Sequence, residues 1–118
     1  MRTTQLLENL EFHDRPYAQP LYVDEDGRVI RFMLQPGQSI NEHNAPSSPF
    51  YVVVLQGQGI FTGADGVERK FGPHDLLVFD KGEHHSVQAL DEALIFVGFL
   101  HGVEGTRPGK VGGLLGNP

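Results

Sequence analysis

Short apolar runs, separated by turn-forming residues, make up most of this chain. Gly contributes 15 and Pro 8 of the 118 residues, and both residue types interrupt helices and favour turns. The runs between them are rich in Val, Ile, Phe, Leu and Tyr, which favour strands. The pattern predicts an all-β protein with strands at residues 21–23, 28–34, 50–55, 59–62, 67–71, 76–79, 85–89 and 93–100.

The distribution of apolar positions within the runs predicts how they pack. In the run 28–34, Ile30, Phe32 and Leu34 share one face and Arg31 lies on the other, so one face is predicted to be wetter. The runs 50–55 and 93–100 are apolar on both faces. Such strands need cover on both sides, from the interior of a sandwich or from a second subunit. We therefore expect a homodimer.

The length favours a single domain with one core. We expect an N-terminal extension at residues 1–20, a barrel at 21–101 and a Gly-rich tail at 102–118. The extension is compatible with an extra edge strand or with a short helix. Its first residues lack the apolar core of a signal peptide, and no apolar run reaches the roughly 20 residues of a membrane helix. These features predict a cytoplasmic protein without a membrane partner.

Composition excludes several classes of function. The formal net charge is −6, and the nine Lys and Arg residues form no basic stripe, so nucleic acid is not an expected partner. The chain has no cysteine, which excludes disulfides, thiolate-bound metals and a thiol nucleophile. The Gly-x-Ser-x-Gly nucleophile motif, phosphate loops and dinucleotide fingerprints are missing from the sequence. The sequence therefore identifies no catalytic residue.

Two histidines are the best candidates for a functional site. His43 and His85 lie in similar contexts next to glycine turns and apolar runs, so in a closed β-structure both can point into one cavity. The alternative is that both are structural imidazoles with no ligand. We expect His13, His74 and His84 to be solvated surface residues.

Glycines accompany both histidines at fixed spacings. The first set is Gly37, His43 and Gly57, and the second is Gly72, Gly82 and His85. With these two motifs the chain resembles the cupin family over about residues 21–100. The resemblance implies a cupin-type jelly-roll β-barrel, a double-stranded β-sandwich, in a single domain.

The chain departs from the cupin motif at two of the four metal-ligand positions. Ala45 stands where the family has its second histidine, and Phe50 stands where it has a glutamate. Iron, manganese, nickel and zinc sites usually offer three or four protein ligands. We therefore expect either no cofactor or a divalent metal ion held weakly by His43 and His85.

A third metal ligand has three candidates in the sequence. His101 would qualify if it pointed inward together with Ile95, Val97 and Phe99, and Gln88 and Glu42 are the others. For the pocket itself we predict His43, Phe50, His85 and Phe99 as lining residues, with most other phenylalanines in the core.

Three functions remain open from the sequence. The first, which we favour, is a binding module that holds a small molecule in the barrel, with His43 and His85 as hydrogen-bond partners. The second is a metal-dependent dioxygenase or isomerase acting on a small organic acid or a sugar-like compound. The third is an interaction module that works through the apolar strands and the tail.

Overall fold

Ten antiparallel strands form the framework of the described part of the chain. The computed structural model describes residues 1–102 and 113–115. The strands are β1 (Tyr17–Val23), β2 (Gly27–Leu34), β3 (Ser39–His43), β4 (Phe50–Gln56), β5 (Gly59–Thr62), β6 (Glu68–Phe71), β7 (Leu76–Phe79), β8 (His85–Ala89), β9 (Leu94–His101) and β10 (Gly113–Leu114). No helix occurs among the described residues, and therefore none that could span a membrane. The all-β prediction is confirmed.

The strands form two sheets that face each other. The larger sheet has the order β10-β1-β2-β9-β4-β7, and the smaller has the order β3-β8-β5-β6. Consecutive strands frequently cross from one sheet to the other, as in a jelly roll. The predicted jelly-roll barrel is therefore confirmed as well.

The core lies between the two sheets and is almost wholly apolar. On β2 and β9 the core-facing residues are Ile30, Phe32, Leu34, Leu94 and Phe96. Phe32 stacks on Phe96 with ring centroids 4.6 Å apart. Side chains of this size fill a small barrel, so the interior is packed at its centre.

The N-terminal residues lie over the outer face of the larger sheet and bury Arg31, which is only 2% exposed. Arg31 donates hydrogen bonds to the carbonyl oxygens of Leu6, Glu8 and Asn9 and to the side chain of Gln19. The prediction that Arg31 lies on a wetter face is therefore wrong. The alternation of β2 was interpreted correctly, but its outer face is covered by the chain's own N-terminal segment.

The ends of the described chain add to the larger sheet. The segment before residue 21 forms most of β1, so the N-terminal extension adds a strand and not a short helix. This strand is not at the edge, because it lies between β10 and β2. β10 pairs with β1 through Tyr17 and Ala18, and the amide of Leu115 donates to the carbonyl oxygen of Pro16. The rest of the predicted tail, residues 103–112 and 116–118, lies outside the described residues.

Candidate functional site

The structure brings the two candidate histidines into direct contact. His43 is the last residue of β3 and His85 the first of β8, and the two are register partners. Their ring centroids are 4.3 Å apart with the planes inclined by 67°. We call His43 and His85 the histidine pair, and the end of the barrel that carries them the barrel mouth.

A β-bulge decides which residue of β3 faces His85. Ile40 pairs with Val87, so a regular antiparallel ladder would place Glu42 opposite His85. The register shifts between Ile40 and His43, and the shift brings His43 to that position. Bulges often re-aim a side chain next to a functional site. Here the bulge replaces a carboxylate with a second imidazole.

His85 lies in an aromatic environment and is 5% exposed. Its ring stacks on Phe79 at 4.5 Å and on Phe50 at 5.2 Å, with the planes inclined by 20° and 23°. Its Nδ1 lies 3.0 Å from the carbonyl oxygen of Glu83. Because a carbonyl oxygen can only accept, Nδ1 carries the proton and donates it.

The other ring nitrogen of His85 has no hydrogen-bond partner in the described part of the chain. Its Nε2 is buried, and no hydrogen-bonding group among the described residues reaches it. Burial, together with the smaller effect of the neighbouring His43, lowers the pKa of His85 from 6.5 to about 4. At neutral pH the ring is therefore uncharged, and Nε2 carries a lone pair.

His43 presents the same nitrogen from the solvent side of the barrel mouth. The residue is exposed, and its Nδ1 lies 2.9 Å from the carbonyl oxygen of Asn41. In the neutral ring this contact again puts the proton on Nδ1 and the lone pair on Nε2. The histidine pair therefore offers two hydrogen-bond acceptors of one kind.

Glu83 fixes the loop that leads into His85. Its two carboxylate oxygens each lie 2.8 Å from a backbone nitrogen, that of Ala64 for Oε2 and that of Asp80 for Oε1. These two N–H donors hold the pKa of Glu83 below its ordinary range. The carboxylate thus ties two loops together two residues before the buried imidazole, which stabilises the position of the ring.

Phe50 lies at the boundary between the histidine pair and the packed core. It is 7% exposed, and its ring contacts both His85 and Phe79. Gly98 on β9 makes room for it, since a Cβ at this glycine would lie 2.6 Å from Cζ of Phe50. A phenyl ring therefore occupies the side of His85 where the family motif has a glutamate.

The structure does not bring Phe99 or His101 to the histidine pair. The core-facing residues of β9 are Leu94 and Phe96, and in a strand the alternate positions face the other side. Phe99 is 39% exposed on the outer face, where Nε2 of His101 lies 3.1 Å from the hydroxyl of Tyr51. Ile95, Val97, Phe99 and His101 thus lie on the face away from the core, and the condition under which His101 could be a third ligand is not met. Both faces of β9 are apolar, so the sequence pattern could not distinguish them.

The residues present do not fit a resident metal ion. Among the described residues, no group of three or more His, Asp or Glu side chains could hold one. Glu42 is exposed, and Gln88 pairs with Ser39, further along β8 from the mouth. The site thus offers two imidazole nitrogens beside a phenyl ring, fewer than the three or four ligands of a stable site.

Arg28 is a residue of the barrel mouth that the sequence analysis missed. Ile30 and Phe32 of β2 face the core, so Arg28 lies on the same inner face. Its register partner is Leu100, which in turn pairs with Phe50. The alternation that identified Ile30 and Phe32 as inner residues also applies to Arg28, two positions before Ile30 in the same predicted strand. The signal was therefore present in the sequence.

Comparison with known proteins identifies the family. The family model described as a cupin domain matches residues 30–98. The chain belongs to the cupin family. No curated protein matches this cupin.

Solved structures share the fold at low sequence identity. A RmlC-like cupin from Desulfovibrio desulfuricans is 24% identical, with a TM-score of 0.76 over 85% of this chain and 96% of the other. An uncharacterised protein with a double-stranded β-helix domain from Klebsiella pneumoniae is 20% identical, with a TM-score of 0.79 over 99% of both chains. A protein from Thermus thermophilus is 16% identical, with a TM-score of 0.80 over 86% of this chain and 98% of the other. These likenesses concern the fold alone.

Proposed function

We propose that this cupin binds a small organic molecule at the barrel mouth, through hydrogen bonds to the Nε2 atoms of His43 and His85 and without a resident metal ion. The observation that carries the proposal is the unpartnered Nε2 of His85, buried among aromatic rings. A buried polar atom without a partner costs about 1–3 kcal/mol. A ligand with an O–H or N–H group would offset that cost.

The hydrogen bonds of the Nδ1 atoms support a ligand-binding role. Each Nδ1 of the pair lies within hydrogen-bond distance of a backbone carbonyl oxygen, which fixes the ring orientation and the tautomer. A purely structural role would be complete with that bond and with the stacking of His85 on Phe50 and Phe79. Such a structural role does not explain why both rings keep an Nε2 lone pair available as an acceptor.

Imidazole NMR tests this proposal directly. Protein treated with EDTA is titrated with a fragment library of alcohols, amides and acids, while the two-bond 1H–15N signals of the histidine rings are followed. We expect fragments that shift the Nε2 signals of both His43 and His85. The shifts and the binding are lost in His85→Phe, which keeps the ring stacking but removes the acceptor.

His84→Phe is the matched control, because His84 is exposed and adjacent to His85. This variant should bind the same fragments as the parent. Binding that survives in His85→Phe contradicts the proposal. Binding that appears only after a divalent metal ion is added also contradicts it, and supports the metal-dependent alternative.

We also propose that the protein forms a homodimer through the outer face of the larger sheet. Leu76 and Val78 of β7 are 65% and 50% exposed, and their register partners on β4 are Val53 and Tyr51. Phe99 pairs with Tyr51 from the other side. These residues form one apolar surface beside β7, the last strand of the described larger sheet, which favours association with another copy.

A further inference from the structure

Arg28 brings a positive charge to the inner side of the barrel mouth. It lies one register step beyond the core residue Ile30, on the same face of β2. Across the larger sheet its row continues through Leu100 and Phe50 to Phe79. The last two residues of this row stack on His85. Arg28 and the histidine pair therefore belong to the same end of the barrel.

The guanidinium of Arg28 is poorly satisfied by the described part of the protein. Its Nε is buried and has no hydrogen-bond partner there. Nη2 lies 3.5 Å from the carbonyl oxygen of His101, which is at the limit of a hydrogen bond. No carboxylate among the described residues forms an ion pair with it. The nearby Asp24 accepts from the Tyr22 hydroxyl and from two backbone amides of its own turn.

Two side chains of the described structure hold a buried polar atom without a partner, and they are Arg28 and His85. Native proteins satisfy most buried polar groups, so each exception requires an explanation. Here one atom is a donor on a permanent cation, and the other is an acceptor on a neutral ring. Leu100 and Phe50 supply an apolar surface between them.

We infer that the ligand of the barrel mouth is a small hydroxycarboxylic acid, with its carboxylate on the guanidinium of Arg28 and its hydroxyl donating to Nε2 of His85. This inference rests on the proposed function and adds the chemical class of the ligand. The carbon skeleton of the acid lies against Leu100 and Phe50. The Cα atoms of Arg28 and Phe50 are two strand spacings apart, about 10 Å, and the arginine side chain spans part of that distance, so a short acid suffices.

Matched acid and amide probes test the inference. Lactate, 3-hydroxybutyrate and 6-hydroxyhexanoate are titrated into EDTA-treated protein, each beside its neutral primary amide, with the same imidazole signals as readout. We expect at least one acid to bind about tenfold or more tightly than its amide, because the amide cannot form the charged contact. The preference is lost in Arg28→Gln, in which the acid loses its advantage and the amide binds as in the parent.

Arg69→Gln is the control, since Arg69 lies on β6 in an exposed ion pair with Asp65. It should keep the full preference for the acid. Arg28→Lys keeps the charge but not the planar fork, and should retain part of the preference. If the thermal transition shows that Arg28→Gln is unfolded, Arg28→Lys replaces it as the test of the preference for the acid.

The outcomes separate this inference from the proposed function. Neutral fragments that bind at His85, with no acid preferred in the parent, overturn the role of Arg28 and leave the proposed function in place. A preference for the acid that persists in Arg28→Gln also overturns the role of Arg28 and leaves the proposed function in place. If neither acids nor neutral fragments shift the imidazole signals, both proposals fail.

Discussion

The ring of Phe50 lies directly against the backbone of Gly98, where a Cβ atom would stand 2.6 Å from Cζ of the ring. We therefore expect Gly98→Ala to destabilise the fold by about 1–3 kcal/mol, because a packed barrel cannot absorb the added methyl group. Urea unfolding measures this change. In the Phe50→Leu background the cost of Gly98→Ala should fall markedly. Gly72→Ala is the control, since the nearest atom to its Cβ would be on the flexible side chain of Gln58, at 3.3 Å. Equal costs at the two glycines would contradict this account.

The buried imidazole of His85 makes stability depend on pH. Its pKa falls from 6.5 to about 4 on folding, chiefly because of burial. The unfolded chain therefore binds more protons, so stability is full above pH 6.5 and is lost as the pH falls towards 4. The loss from this residue is about 3 kcal/mol. To measure it, the free energy of unfolding of the parent and of His85→Phe is determined in urea at pH 7, 5 and 4. The loss is the amount by which the parent is destabilised more than the variant between pH 7 and pH 4.

At pH 7, His85→Phe itself should change stability by less than about 1 kcal/mol. The phenyl ring keeps the stacking and removes the unpartnered Nε2, which offsets the lost bond to Glu83. His84→Phe should keep the pH dependence of the parent. If parent and His85→Phe lose stability in parallel between pH 6.5 and 4, the burial of a neutral His85 is not the cause.

Arg31 should be the most costly arginine to replace. Its five hydrogen bonds hold the N-terminal segment over the larger sheet, and bonds to a charged group contribute about 1.5–3 kcal/mol each. We expect Arg31→Ala to cost about 3 kcal/mol or more and to raise hydrogen exchange in residues 6–11. Arg69→Ala breaks an exposed pair and should cost less than about 1 kcal/mol. Unchanged exchange in the N-terminal segment of Arg31→Ala would show that Arg31 does not hold it.

Protein purified without an affinity tag should contain well below one metal ion per chain, and EDTA should leave its thermal transition unchanged. The reason is the ligand set, two imidazoles beside the ring of Phe50. Elemental analysis measures the number of metal ions per chain. Near-stoichiometric metal that disappears in the His43→Ala, His85→Ala double variant would establish a metal site and overturn the metal-free proposal.

Sedimentation velocity tests the proposed dimer. The parent should sediment with twice the chain mass of 13.0 kDa. Leu76→Lys with Val78→Lys should give a monomer of unchanged fold, because both side chains are largely exposed and β7 keeps its ladder with β4. Val67→Lys is the control, an exposed apolar residue outside this surface. A monomeric parent, or a dimer that survives the double substitution, contradicts the proposal.

The sequence predicted an all-β protein because the signals for strands and turns are local, and the resemblance to cupins implied the jelly-roll barrel. Gly and Pro separate the strands, and apolar alternation gives the inner face of β2. It also predicted that His43 and His85 can point into one cavity, from their similar positions next to glycine turns, but not that the two rings are in contact. The error at Phe99 and His101 has a different origin, because β9 is apolar on both faces and its parity is set only by pairing with neighbouring strands. Arg31 was misplaced because its cover comes from residues more than twenty positions away in the chain.

The same arginine has a consequence for how this protein tolerates change. Arg31 is held by main-chain oxygens of residues 6, 8 and 9, which every amino acid carries. Substitutions at Leu6 and Glu8 should therefore keep these bonds, whereas insertions or deletions between these residues and β1 should break them. Asn9 is more restricted, because its φ of 54° favours Asn or Gly. A proteolytic cut after Asn9 would leave a buried cation without most of its acceptors. In this segment, the number of residues before β1 is more tightly constrained than the identity of their side chains.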